Sequence, residues 1–178
     1  MASRKGNGQG PKRENLTKSD VEKIKEEIRY REVTLGPKLK EDLKEARAQG
    51  DLSENFEYYC AKRANNQNNS RIRYLENMLA KANIIEDETE EDEVGINSLV
   101  TIKFEERDME RTVKVVTGIR SDALNNMVSI ETPVGKAILG HKVGDRVLVK
   151  ANDTVSYYVV IKALVKDVGD SDDKISSF

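Results

Sequence analysis

Gly50-Asp51-Leu52-Ser53-Glu54-Asn55 separates two long stretches of helical pattern and leaves only a few residues in which to reverse direction. Upstream, Val21, Ile24, Ile28, Leu35, Leu39, Leu43 and Ala46 recur at steps of three, four or seven. That is the seam of a coiled coil, within a helix expected over residues 19–49. Downstream, residues 53–83 read as helix again, carrying Phe56, Tyr59 and Arg63 and then Ile72, Leu75, Leu79 and Ala82. The expected product is an antiparallel two-helix hairpin, on the order of 45 Å long for about 30 residues per arm at ~1.5 Å per residue. Its far end carries two acids three positions apart, Asp51 and Glu54. A slender arm of this kind delivers charge to a place that a globular body does not enter.

Local signals sharpen the arm. Thr17 or Ser19 is placed to cap the first helix, with Asp20 and Glu22 complementing its dipole. Gly36-Pro37 interrupts the seam, because proline removes a backbone donor and presses on the carbonyl of Val33; a kink is expected. The polar run Asn65-Asn66-Gln67-Asn68-Asn69-Ser70 is a poor helix former. With the turn centred near Asp51, Asn65 and Gln67 fall opposite Gly36-Pro37. One such amide is expected to donate to a carbonyl that the proline frees.

Charged residues make up 35% of the 178 and hydrophobic ones 37%, without tryptophan, which is a thin core for one compact globule but suits an extended arm. The net charge of −2 speaks against a generic nucleic-acid binder, which would be basic overall. One cysteine, Cys60, excludes an internal disulfide and fits a reducing compartment. No apolar run approaches the ~20 residues of a membrane span, and the first residues lack the apolar core of a secretory signal. A cytoplasmic protein is expected.

The composition divides the chain into a basic extension (1–15), the hairpin arm (16–85), an acidic linker (86–95), a β-rich domain (96–168) and a polar tail (169–178), with extension and tail expected to be disordered or frayed. Residues 86–93, seven acids in eight positions, read as a spacer stretched by self-repulsion. Beyond it the period changes from helical to alternating, with strands expected at 99–104, 111–118, 127–131, 146–150 and 156–165. A helical turn or two is expected over 134–139. The fold class is therefore α+β.

Much chemistry is excluded. One histidine, His141, and one cysteine cannot build a zinc site or a Cys-His pair, and His141 falls in a turn, where a surface role is expected. The glycines at 6, 8 and 10 have no preceding strand and so make no phosphate loop. For the tip acids a plain role exists: Asp51 as helix cap with Glu54 three residues on is a variant of the capping box. Capping leaves carboxylate acceptor sites free, so it does not exclude metal binding.

The stretch from Gly50 to Asn55, continued by Glu57-Tyr58 and Ala61-Lys62, resembles the tip signature of bacterial transcript cleavage factors of the GreA/GreB family. Ser70-Arg71-Ile72-x-x-Leu75-Glu76 and Ala82-x-Ile84-Ile85 are similar to the end of that family's second helix. Thr132-Pro133-Val134-Gly135-Lys136-Ala137-Ile138-Leu139-Gly140-His141-Lys142-Val143-Gly144-Asp145 resembles its carboxy-terminal signature. The resemblance, over about residues 16–168, implies a coiled-coil arm joined to a domain of FKBP-like fold. It implies a monomer whose partners are RNA polymerase, at the rim of its secondary channel, and the 3′ end of the nascent RNA. It implies no catalysis by the chain alone. Asp51 and Glu54 would help hold a Mg²⁺ ion kept mainly by the polymerase and not bound stably by the free protein, so that a backtracked transcript is cut. Two carboxylates suit that ion, which takes hard oxygen ligands and keeps water and phosphate in its shell.

Two further sets follow from the resemblance. Lys44, Arg47, Lys62 and Arg63, with Lys40, are candidates for contact with RNA phosphates; a solvated face of a charged coiled coil is the plainer account. Thr132, Pro133, Val134, Gly135, Lys136 and Leu139 are candidates for docking on polymerase; an ordinary strand-to-helix turn is the alternative. Rival functions are a relative that occupies the channel and inhibits or regulates without cleavage, a prolyl isomerase, for which Phe104, Tyr157 and Tyr158 are a poor supply of aromatics, and a generic adaptor.

Overall fold

The computed structural model describes residues 13–48 and 55–176. The basic extension to Lys12 and, at the hairpin's end, residues 49–54 lie outside them, and with the latter both Asp51 and Glu54. Among the described residues two compact units emerge, one holding residues 13–14 and 25–83 and the other residues 15–24 with 84–176. Their division runs through the first helix, α1 (Lys18–Tyr30). Among the described residues, no helix is long and apolar enough to cross a membrane.

The helical unit is the expected hairpin. After α1 comes a π-helical turn (Arg31–Leu35), then α2 (Gly36–Ala48) and α3 (Phe56–Lys81). At ~1.5 Å per residue the 26 residues of α3 run about 39 Å. Ile28, Leu35, Leu39, Leu43 and Ala46 of the first arm are half-buried or buried, as their spacing requires. On α3 the buried face is Asn68, Arg71, Leu75 and Met78. Phe56, Tyr59 and Arg63 face solvent.

The second unit is built on a five-stranded curled sheet in the order β5-β4-β3-β7-β6. Its strands are β3 (Leu99–Phe104), β4 (Met109–Val116), β5 (Met127–Ser129), β6 (Arg146–Lys150) and β7 (Ser156–Val165). All pairs are antiparallel except β4 with β5. Alternation carries the packing: Val100, Ile102, Val113, Val115, Val147, Val149, Val159 and Ile161 point to one core. The short helix α4 (Pro133–Ile138) closes it with Ile138. Two two-residue strands, β1 (Asn15–Leu16) and β2 (Asn83–Ile84), pair at the base of the hairpin.

Two expectations for the second unit are overturned. The acidic run is no stretched spacer, because it folds around two lysines. The Lys166 ammonium donates to the carbonyls of Thr89 (3.3 Å), Glu90 (2.9 Å) and Glu93 (3.1 Å) and to the Thr89 hydroxyl, with Asp87 at 3.4 Å. Lys142 pairs with Asp92 at 2.8 Å and Glu90 at 3.3 Å. Hydrogen bonds to Asp92 and then Glu90 raise the Lys142 pKa. Self-repulsion is cancelled by cations distant in sequence.

The tail does not fray either. Asp173 accepts from Lys114 at 2.7 and 2.9 Å and from Arg120 at 2.8 Å, and the Ser176 amide donates to the Ile119 carbonyl at 2.8 Å. Arg120 is fully buried, with Asp20 at 2.7 Å on its other side. Asp20 also accepts from the Thr17 amide, while its own amide donates to the Thr17 hydroxyl. Thr17 is thus the cap of α1, in a reciprocal capping box.

Candidate functional site

The arm's open end is fixed by one side chain. Asn55 caps α3: its side-chain oxygen accepts from the Tyr58 amide at 3.0 Å, and its side-chain nitrogen donates to the Ala46 carbonyl at 2.9 Å. The first bond satisfies an orphan donor at the start of α3 and the second an orphan acceptor at the end of α2. The capping role proposed for Asp51 therefore belongs to Asn55 in α3. The six residues carrying Asp51 and Glu54 join two helix ends that this asparagine holds together.

Of the four RNA candidates, Arg47, Lys62 and Arg63 are exposed near this end. Arg47 and Lys62 both lie against the half-buried Tyr58 ring, 5.8 and 5.6 Å from its centroid, a cation–π arrangement. Lys44 pairs with Glu41 at 3.3 Å, so part of its charge is spent within the helix. Lys40 is exposed one turn earlier.

Midway along the arm lies a polar layer. Glu27 accepts from Arg71 at 2.9 and 3.1 Å and from Arg31 at 2.7 Å. Burial works to raise the Glu27 pKa, but the hydrogen bonds from Arg71 and Arg31, with their charges, outweigh it and hold the carboxyl below its ordinary range. Asn68, 3% exposed, accepts from Arg31 and donates to the Arg31 carbonyl, each at 3.3 Å. The Gly36 amide reaches the same carbonyl, five residues back.

The expected bond, from Asn65 or Gln67 to a carbonyl freed by the proline, is corrected: the donor is Asn68, and the Arg31 carbonyl it reaches already accepts from the Gly36 amide. Asn68 replaces Asn65 and Gln67, and Arg31 replaces Val33. The kink expected at Pro37 is resolved as a wide turn, which accommodates the missing donor before the proline. Gly36 belongs there because a Cβ would stand 2.8 Å from the Arg31 carbonyl oxygen.

The six docking candidates sit at α4. The Thr132 hydroxyl accepts from the Gly135 amide at 3.1 Å and donates to the Ser129 carbonyl at 2.7 Å, and Pro133 follows as the first helical residue. Gly135 is buried, and a Cβ there would stand 2.1 Å from the Ser129 carbonyl oxygen. Val134 and Leu139 are half-buried against the core, which leaves Pro133 and Lys136 as the exposed members. Thr132 and Gly135 therefore have full structural roles.

Val134 also borders a groove with Phe104, Met109, Val155, Tyr157 and Tyr158. The aromatics judged scarce in the sequence converge there, with Phe104 and Tyr157 centroids 5.7 Å apart and the Arg146 guanidinium 3.4 Å above Tyr158. His141 is exposed, with Nδ1 3.1 Å from Asp145. The Lys142 amide, then His141, hold the Asp145 carboxyl below its ordinary range.

Among the described residues no group of three or more potential ligands stands together to hold a metal. Two carboxylates three apart, as at Asp51 and Glu54, are hard oxygen donors of the kind Mg²⁺ takes, and are too few to hold it without another donor set.

Residues 14–84 match the N-terminal domain of transcription elongation factors, and residues 88–164 match the GreA/GreB C-terminal domain. The transcription elongation factor GreA of Thermotoga maritima is 40% identical over 155 residues, covering 87% of this chain and 99% of that protein. GreA of Brucella anthropi is 35% identical over 147 residues, covering 82% and 94%. The crystal structure of GreA factor homolog 1 from Thermus thermophilus is 24% identical and covers 86% of this chain and 99% of that one, at a TM-score of 0.40. At that score the likeness informs neither fold nor site. The two domain matches and the identities to GreA, taken with a helical hairpin followed by a curled β-sheet domain, make this chain a member of the GreA/GreB family of transcription elongation factors.

Proposed function

We propose that this chain binds RNA polymerase through its β domain and inserts the hairpin arm into the secondary channel, where Asp51 and Glu54 promote cleavage of backtracked nascent RNA. The observation that carries this reading is the arm's end: Asn55 caps α3 and ties it to Ala46, so the acids need not serve as that cap. The reaction belongs to the polymerase, and this chain supplies ligands. A Mg²⁺ ion shared with the polymerase would stabilise the attacking and leaving oxygens of phosphodiester hydrolysis. Asp51 and Glu54 would hold it and orient the entering water. Arg47, Lys62 and Arg63 would bind phosphates of the displaced 3′ segment. Pro133 and Lys136, exposed beside the aromatic groove at Val134, are the members of the docking set free to meet the polymerase.

The test uses halted elongation complexes containing backtracked RNA. The wild-type chain is expected to shorten the transcript, and Asp51→Ala with Glu54→Ala to abolish shortening while still competing for polymerase. Arrest without shortening by the wild type would replace this reading with that of a factor that occupies the channel and inhibits.

A further inference from the structure

Phe56, Tyr59 and Arg63 fall at i, i+3 and i+7 of α3, one face of the helix. Phe56 is 77% exposed and Tyr59 53%. Single exposed apolar residues are ordinary; two rings on the first turn of a helix, beside the exposed cations Arg47, Lys62 and Arg63, are not. Tyr58, one position round, is already engaged by Arg47 and Lys62 and meets the Tyr59 ring in a T-shaped contact, with centroids 5.6 Å apart and planes at 62°. Among the described residues no carboxylate pairs with Arg47, Lys62 or Arg63. The acid of this turn, Glu57, is offset from the stripe by one residue.

We propose that the Phe56–Tyr59–Arg63 stripe is a stacking surface for single-stranded RNA, on which bases lie against the two rings while Arg63, with Lys62 and Arg47, meets the phosphates. Aromatic faces flanked by cations are how single strands are held without sequence readout, since every base presents a π-face and every linkage a charge. The charge complementarity selects this occupant: three cations that no carboxylate among the described residues pairs suit a polyanion better than an apolar protein surface. The inference depends on the function proposed above only for bringing RNA to this end of the arm. It adds a base-holding role to residues whose apolar character would otherwise assign them to the seam.

The experiment uses a halted polymerase complex whose transcript ends in photoreactive 4-thiouridine. The wild-type chain is expected to crosslink within residues 56–63. The double substitution Phe56→Ala, Tyr59→Ala is expected to lower the yield about 5-fold or more, from the stacking normally lost with a ring. Phe56→Tyr with Tyr59→Phe is expected to restore it, which a role for charge alone would not require. Undiminished crosslinking in the alanine variant, or no crosslink within the segment, overturns the proposal. So does a loss of yield matched by weaker competition for polymerase, which would place the rings against protein. Asp51→Ala, run in parallel, separates the two readings: retained cleavage there defeats the proposed function, while the ring variants report on RNA alone.

Discussion

Glu27 shows how one carboxylate organises the middle of the arm. It receives two bonds from Arg71 and one from Arg31, all charge-assisted and partly shielded from water. Its pKa lies below the ordinary glutamate value of 4.5 because the arginines favour the charged form more strongly than burial opposes it. A carboxyl of lowered pKa stabilises the folded arm fully above its unfolded value and loses that contribution as pH falls through the lowered one. Helicity of the wild-type arm is therefore expected to decline with acid below about pH 4.5. In Glu27→Gln that acid limb is expected to flatten, with a lower melting temperature at pH 7 because two arginines keep only a neutral partner. Circular dichroism melts from pH 7 to 3 check this; parallel curves for the two proteins would mean that Glu27 is not the titrating group.

At the level of elements, the period of the sequence was enough where packing is regular. The strands begin and end close to where alternation places them, and the first arm buries the seam that its spacing marks. Four things were not legible, each for a physical reason. A π turn holds more residues than an α turn, so a register counted from the tip misses the partners beyond it. Asn68 and Arg31 meet there, in place of Asn65 or Gln67 and Val33. Apolar spacing on α3 singled out Phe56 and Tyr59 without showing that they point to water, since the positions turned inward there, Tyr58, Ala61 and Ala64, are amphipathic or small and give little contrast. The tip acids were the clearest functional signal, yet they lie in residues 49–54, and what frames them is Asn55, visible in sequence only as part of the motif. The acidic run failed because its neutralising lysines, Lys142 and Lys166, are about 50 and 75 residues away and nothing local announces them. Lys166→Met is accordingly expected to free the loop, leaving the carbonyls of Thr89, Glu90 and Glu93 without that donor. Limited digestion with a glutamate-specific protease reads this out: cleavage within residues 86–93 is expected to accelerate several-fold in Lys166→Met over wild type, and equal rates would show that the ammonium does not hold the loop.

Taken across the whole chain, the C-terminal segment and the start of α1 meet on one buried arginine. Arg120 is held by Asp20 from α1 and by Asp173 from the tail, and Lys23 donates to the carbonyls of Asp170 and Asp173. The family's C-terminal match stops at residue 164, so the tail that completes this cluster lies beyond it. Its bonds are not peripheral, because a guanidinium without exposure depends on its carboxylates to offset the loss of water. Removing one partner of a buried pair costs about 3–5 kcal/mol when nothing replaces it. Arg120 would keep Asp20 and its hydrogen bond to the Asn97 side-chain oxygen, each at 2.7 Å, so ending the chain after Val168 is expected to cost less, on the order of 2–3 kcal/mol, roughly 10 °C in the β unit's melting temperature. Asp20→Asn, which leaves the tail in place but removes the deeper charge, is expected to cost at least as much. Asp173→Asn keeps the segment's shape and isolates its electrostatic share. Hydrogen exchange at Val113 and Val115 in the sheet reads the stability of this unit separately from the arm. Unchanged exchange on truncation would mean that water replaces the tail at Arg120 without cost; if Asp173→Asn matches truncation, a single carboxylate accounts for what the last residues contribute.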